Sequence, residues 1–314
     1  MQRASLCKPN TVSTVAQHSK KSIWCIAGPT AVGKTSVAIN LAEALGTEIL
    51  SFDSRQFYRE IPIGTAAPNE EERQRVKHHF ILDRSVKDEF NAAAFAEDAA
   101  IRIAELHQQY DTLILVGGSG LYLKALIEGF DEMPEVAAGI REELQTELDD
   151  KGIESLQQEL RGSDPDYFAQ MDIQNPQRLI RALEVIRSSG KPYSSFRNQA
   201  KKQLPYTVRK IGLELDRSEL YDRINRRVGL MVSEGLLEEA RPLIDFKELN
   251  ALQTVGYKEL FPYFEGAYDL EFALDEIRKN SRRYAKRQIT WFRREQNMEW
   301  YHPKDWEMIL MNKT

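Results

Sequence analysis

The sequence predicts an α/β fold, a parallel sheet covered by helices, and three observations predict it. Four or five short apolar runs rich in β-branched residues alternate with helical patterns. The first of these runs leads straight into the octapeptide GPTAVGKT, Gly28 to Thr35. Between about 128 and 204 convincing strands stop and acidic helical stretches such as IREELQTELDDKGIESLQQEL take over. At 314 residues the chain is long enough to bury a full core.

The elements follow in order. Residues 1–21 are polar, rich in Ser, Thr and Lys, and lack an apolar centre, so they are expected to form a flexible N-terminal tail rather than a secretory signal. Ser22 to Ala27 is the first strand, short and buried. GPTAVGKT then matches G-x-x-x-x-G-K-[ST] at every fixed position. In that pattern Gly28 and Gly33 let the backbone wrap so that several N–H groups point at one anion. Lys34 brings a point charge, and the Thr35 hydroxyl is a ligand for Mg²⁺. The helix expected from Ser36 adds its N-terminal dipole. This loop binds a di- or triphosphate through Gly28, Pro29, Thr30, Ala31, Val32, Gly33, Lys34 and Thr35, and it makes the expected core P-loop NTPase-like.

A second strand, Glu48 to Phe52, ends at Asp53, and His79 to Leu82 is a candidate third. Asp111 to Val116 leads into Gly117-Gly118-Ser119-Gly120, a second glycine-rich turn. Thr207 to Leu215 is expected to be the last strand, with helix from 216 nearly to the end. The domains are then 22–127 and 205–314 for the core, with 128–204 as a helical insertion. Breakers at Pro134, Gly139, Gly162, Pro165, Pro176 and Gly190 divide it. A lid, a docking module and a decorative bundle all fit its composition. Because ligands of such sheets bind at the carboxyl ends of the strands, Gly28–Thr35, Asp53-Ser54 and Gly117–Gly120 are expected to share one crevice.

The longest apolar runs are too short to span a bilayer. Two cysteines, Cys7 and Cys25, make neither a disulfide framework nor a metal cluster, which points to a reducing cytoplasm. Net charge is −5, yet residues 278–294 hold eight Arg or Lys and no acid. A concentrated cationic stripe on an otherwise acidic chain suits a polyanion. Arg278, Lys279, Arg282, Arg283, Lys286 and Arg287 recur at helical spacing, which puts them on one broad face. A solvated face is the plain alternative, although six cations without interspersed acids repel one another. Trp291 and Phe292 either stack on bases or pack inward, and at least one is expected in the core.

A nucleotide-hydrolysing P-loop enzyme pairs its loop with a strand ending in a magnesium-holding acid. Here the strand of that kind ends in Gly-Gly-Ser-Gly, and the nearest strand-terminal acid is Asp53. Asp53 is either a capping residue or a carboxylate in the crevice that accepts a proton or shares the metal. His78 and His79 face opposite ways in a strand, so a structural role is expected for both.

With GPTAVGKT, SFDSRQFYREIPIGTAAP, GGSGLYLKAL, NPQRLIRALEVI, LQTVGYKEL and KRQITWFRR in this order, the chain resembles the tRNA dimethylallyltransferases from about residue 22 to 302. The resemblance implies transfer of a dimethylallyl group from dimethylallyl diphosphate to the N6 amine of the adenine 3′-adjacent to the anticodon in tRNA. It implies Mg²⁺ and an insertion that grips tRNA, and a cytoplasmic monomer with no membrane contact is the expected form. Asp53 matches the catalytic aspartate of the family, and Thr35 and Arg223 match positions near the diphosphate. The tRNA-contacting segments align with Asp53, Ser54, Arg55 and Gln56; with Gln177, Arg178, Leu179, Ile180 and Arg181; with Gln253, Thr254, Val255, Gly256, Tyr257 and Lys258; and with Lys286, Arg287, Gln288, Ile289, Thr290, Trp291, Phe292 and Arg293. Ser119 and Arg141 align with individual contacts. Ser119 stands where the family usually has Thr, Ala67 where it has Lys, and Phe57 where Val is common. Three rivals share parts of the pattern: a transferase prenylating free adenine nucleotides, a P-loop small-molecule kinase, and a non-catalytic RNA-binding protein.

Overall fold

The computed structural model describes residues 21–197 and 202–312. Its described residues fall into two compact units, one taking in those up to Leu123 and from Leu204 onward, the other Lys124–Gln203. The tail expected over 1–21, with Cys7, lies outside the described residues except for Lys21. Lys21 belongs to the first unit: its ammonium pairs with Asp111 at 2.8 Å and its carbonyl accepts from the Thr207 amide.

The first unit is built on a six-stranded sheet: β1 (Ser22–Ala27), β2 (Ile49–Ser51), β3 (His78–His79), β4 (Thr112–Gly117), β5 (Thr207–Leu213) and β6 (Met298–Tyr301). The order is β3-β2-β4-β1-β5-β6, and every pairing is parallel. β1 lies between β4 and β5, and its side chains are buried almost throughout, as a strand covered on both faces requires. Ile26, Val37, Ile39, Leu41, Ile114 and Ile211 form the centre of one core cluster. That core fixes the carboxyl ends of β1, β2 and β4, where the loop, Asp53 and the glycine turn emerge.

Two strand expectations are corrected. The run His79 to Leu82 gives only the two-residue β3, because Phe80 and Leu82 adopt left-handed φ of 62° and 52° and break the extension. Thr207–Leu213 is also not the last strand, since β6 follows as the sheet edge. Its four residues are too few to declare a period. Long-range contacts hold it instead: Arg209 pairs with Glu299 at 2.7 Å, and the Trp300 ring lies where a Cβ on Gly212 would be.

The second unit is helical, with Ile140–Lys151, Ile153–Ser163, Pro165–Gln170 and Pro176–Ser189 packed around Leu144, Leu156, Leu160, Leu179, Ile180 and Leu183. Gly139, Pro165, Pro176 and Gly190 stand at helix ends as expected, a further break falls at Gly152 with φ of 77°, and Gly162 continues its helix. No helix among the described residues is long and apolar enough to cross a membrane.

Candidate active site

The phosphate loop is shaped by backbone that few residues adopt. Gly28 has φ of 153°, and a Cβ there would meet the Leu213 carbonyl oxygen at 2.8 Å. Gly33, with φ of 105°, precedes the helix Lys34–Leu45, whose N-terminus carries no side-chain cap. Its first N–H groups are therefore free to meet an anion. Ala31 sits at φ of 64°, a strained conformation for a residue with a Cβ.

Two arginines one helical turn apart, on Arg217–Ser233, reach this loop. Arg223 donates to the Val32 carbonyl at 3.4 Å and is held by Glu219 at 2.8 Å. Arg227 donates to the Thr30 hydroxyl at 3.2 Å. Lys34, bonded to the Pro29 carbonyl at 2.8 Å, has its pKa lowered from the ordinary 10.5 to about 8, chiefly by burial. Asp53 opposes that shift and Arg227 adds to it. Burial likewise lowers the Arg227 guanidinium, with Asp53 again opposing. Lys34, Arg227 and Asp53 therefore share one electrostatic neighbourhood at the ends of β1 and β2.

Asp53 is half-buried and caps no helix. Its Oδ1 accepts the Arg55 amide at 3.1 Å in a local turn. Ser54 donates its amide to the Ser119 hydroxyl at 2.9 Å, which joins the Asp53 loop to the glycine turn after β4. The three strand-end segments expected to converge do converge. Arg55 Nη1 reaches the Asn250 carbonyl at 2.6 Å, and Gln56 Nε2 donates to Ala66 at 2.9 Å.

Beneath Gln56, the short helix Pro62–Thr65 is anchored by Glu239, which accepts the amides of Ile63 and Gly64 at 2.8 and 2.9 Å. The Tyr257 hydroxyl completes this anchor by donating to Glu239. Tyr257 is wholly buried, and burial, with Glu239 beside it, pushes its pKa up. Tyr257→Phe is expected to lower folding stability by about 1–3 kcal/mol, measured by chemical denaturation, because a buried acceptor loses its donor.

The remaining residues aligned with tRNA contacts divide by burial. Lys286, Arg287, Thr290 and Trp291 are exposed on the helix Leu270–Phe292 and line an open hollow with Arg294, and Arg293 is exposed at the helix C-cap. Gln253 and Lys258 are exposed too, Thr254 is half-buried, and Arg141, Gln177, Arg178 and Arg181 are exposed in the helical unit. There Glu184, only 2% exposed, holds Arg141 at 2.7 Å and Arg181 at 3.3 Å, and Gln177 also accepts from Arg141. By contrast Leu179, Ile180, Gly256, Tyr257, Gln288 and Phe292 are buried, while Val255 and Ile289 pack against core clusters. These residues hold their segments from within, as the inward face of each segment requires.

The cationic stripe is also less uniform than its spacing implies. Asp275 and Glu276, just outside it, pair with Arg278 and Lys279, both at 2.5 Å, and Arg282 turns to Asn225 at 2.7 Å. Self-repulsion is thus relieved partly from within the protein.

Two residues of the site escaped the sequence. Arg227 carried a signal, its i+4 spacing from Arg223. Tyr284 did not: its pKa is pushed up to about 12 by burial, then by the charge of Asp53, with Ser119 beside it acting the other way. His78 and His79 take separate structural partners, the Val76 carbonyl at 2.7 Å and Glu48 at 2.6 Å.

No group of three or more His, Cys, Asp or Glu among the described residues could hold a metal ion by itself. The chemistry of the donors present suits Mg²⁺ in another way. Thr35 offers a hydroxyl at the helix N-terminus, as in sites where substrate phosphates supply most of the oxygen ligands.

The sequence profile of the family described as IPP transferase matches residues 56–295. A tRNA dimethylallyltransferase of Christiangramia forsetii is 50% identical over 276 residues, covering 88% of this chain and 91% of that protein. The tRNA dimethylallyltransferase 1 of Bacteroides fragilis is 46% identical, covering 92% and 96%. Among solved structures, the tRNA isopentenylpyrophosphate transferase of Bacillus halodurans superposes with a TM-score of 0.68 at 39% identity, over 92% of this chain and 94% of that one. A eukaryotic dimethylallyltransferase acting on tRNA gives 0.73 at 26% identity, over 86% and 69%.

Proposed function

This chain belongs to the IPP transferase family, and from that premise we propose how its residues carry a dimethylallyl group from dimethylallyl diphosphate to tRNA. The acceptor is the N6 amine of the adenine 3′-adjacent to the anticodon. The observation that carries the reading is the shared neighbourhood of Lys34, Arg227 and Asp53, a phosphate cradle with one carboxylate beside it. A kinase needs a nucleotide-bound metal and an acid at the end of β4, where this chain has Gly117-Gly118.

In the proposed reaction the bond between the allylic carbon and the diphosphate oxygen breaks, and a bond from N6 to that carbon forms. The diphosphate leaves with the bonding electron pair, and Lys34, Arg223, Arg227 and the loop amides stabilise its growing charge. Mg²⁺, when held at Thr35 and the phosphate oxygens, neutralises part of that charge. Asp53 hydrogen-bonds the amine and takes its proton once N6 has been alkylated. Adenine's amine is a weak nucleophile, so holding it in line contributes more than basicity does. Reaching it requires extruding the base from the anticodon stack. The exposed cations Lys286, Arg287 and Arg293, with Arg141, Arg178 and Arg181, are assigned to the RNA backbone. We assign the chain to the cytoplasm as a monomer.

Two experiments test this reading. Arg227→Ala is expected to weaken binding of inorganic diphosphate by about ten- to a hundredfold, the loss of a charge-assisted contact, whereas exposed Arg226→Ala has no such effect. Calorimetry measures both. Labelled donor offered to an anticodon stem-loop and to AMP is expected to label the RNA alone. Label in AMP and none in RNA would favour the free-nucleotide transferase.

A further inference from the structure

We infer that Gln288 is a positioning residue for the diphosphate cradle, tying the phosphate loop to the glycine turn after β4. This rests on the diphosphate reading above and adds a residue to it. Gln288 lies within the cationic helix but is only 5% exposed. Its Oε1 accepts the Thr30 amide at 2.8 Å, and its Nε2 donates to the Gly118 carbonyl at 2.9 Å. A backbone N–H only donates and a carbonyl only accepts, so these partners fix which end of the carboxamide faces which.

The position of the bonds matters more than their number. Thr30 is held twice, its amide by Gln288 and its hydroxyl by Arg227. Ala31, the next residue, holds the strained φ of 64°. Such strain persists only where the surroundings over-determine the backbone. Pinning Thr30 supplies that constraint at the start of the turn, and the amides that follow are left free to face an anion. At its other end Gln288 fits so closely that a Cβ on Gly118 would lie 2.2 Å from Nε2.

Neighbouring side chains show that this face of the helix builds the site. A Cβ on Gly120, in the same glycine turn, would meet Trp291 Nε1 at 2.1 Å. Lys286, Arg287 and Thr290 are exposed on the same helix. The helix assigned to RNA thus sets the shape of the cradle through Gln288.

The test uses the full chain, with inorganic diphosphate plus Mg²⁺ and an anticodon stem-loop as separate probes. Gln288→Met is expected to weaken diphosphate binding by about tenfold, from two backbone groups losing their partner, while RNA affinity stays within about twofold. The donor KM rises with it. Arg287→Ala is expected to do the reverse. Gly118→Ala, which displaces Nε2, is expected to reproduce the diphosphate loss in the native background and add nothing in a Gln288→Ala background. Thermal melting checks that each variant folds, and the Gly118→Ala cycle decides the matter if Gln288→Met does not. Unchanged diphosphate affinity in a folded Gln288→Met, or an undiminished Gly118→Ala loss in Gln288→Ala, overturns the inference and leaves the function standing. A native protein that binds no diphosphate overturns the functional reading and the inference with it.

Discussion

Replacing Asp53 with alanine is expected to slow prenyl transfer by about 10²–10⁴, the range for losing a positioned proton acceptor, with diphosphate and RNA binding nearly intact. Asp53 accepts the Arg55 amide at Oδ1. Asp53→Asn keeps an oxygen for that amide while removing the proton acceptor, so it separates chemistry from turn geometry. Single-turnover rates on a stem-loop substrate measure both variants. Equal losses in Ala and Asn assign the effect to the carboxylate. A normal rate in Asn with a slow Ala would make Asp53 a turn residue only.

The second large effect is expected at Lys34. Lys34→Met removes the one ammonium in the loop and is expected to cost about 10²–10³ in rate, as for other groups that stabilise a developing anion. The pH dependence follows from its pKa, lowered to about 8 mainly by burial. In the free protein Lys34 is charged below that value and loses its proton above it, so diphosphate affinity falls as pH rises past about 8. Lys34→Arg, charged throughout, removes this fall. Folding has the opposite sign: between about 8 and the ordinary 10.5 the unfolded chain binds more protons at this site, so its contribution to stability rises with pH there. Calorimetric titrations at pH 7 and 9, comparing native and Lys34→Arg proteins, measure the difference.

What was legible in the sequence was what local chemistry dictates. GPTAVGKT declared its own conformation because glycine and lysine at those spacings have few other uses. The strand ends could be gathered into one crevice because a parallel sheet aligns its carboxyl ends. Long-range decisions were not legible. β6 is four residues whose pairing depends on Gly212 and Arg209, about 90 positions away. Gln288 lies in a motif whose cations advertise RNA, yet its carboxamide faces inward, and only the fold shows which residues of a charged helix turn to the core. Tyr284 likewise gives no local sign of its place beside Ser119 and Asp53. The stripe misled in the other direction, because two of its charges are answered by Asp275 and Glu276, only three residues upstream.

The most direct measurement incubates the protein with dimethylallyl diphosphate, Mg²⁺ and unmodified tRNA, digests the RNA, and analyses its nucleosides by mass. The expected product, required by the proposed chemistry, is an N6-prenylated adenosine mapped to the position next to the anticodon and lost in Asp53→Asn. Adenosine left unmodified by a folded protein that binds both substrates would contradict it.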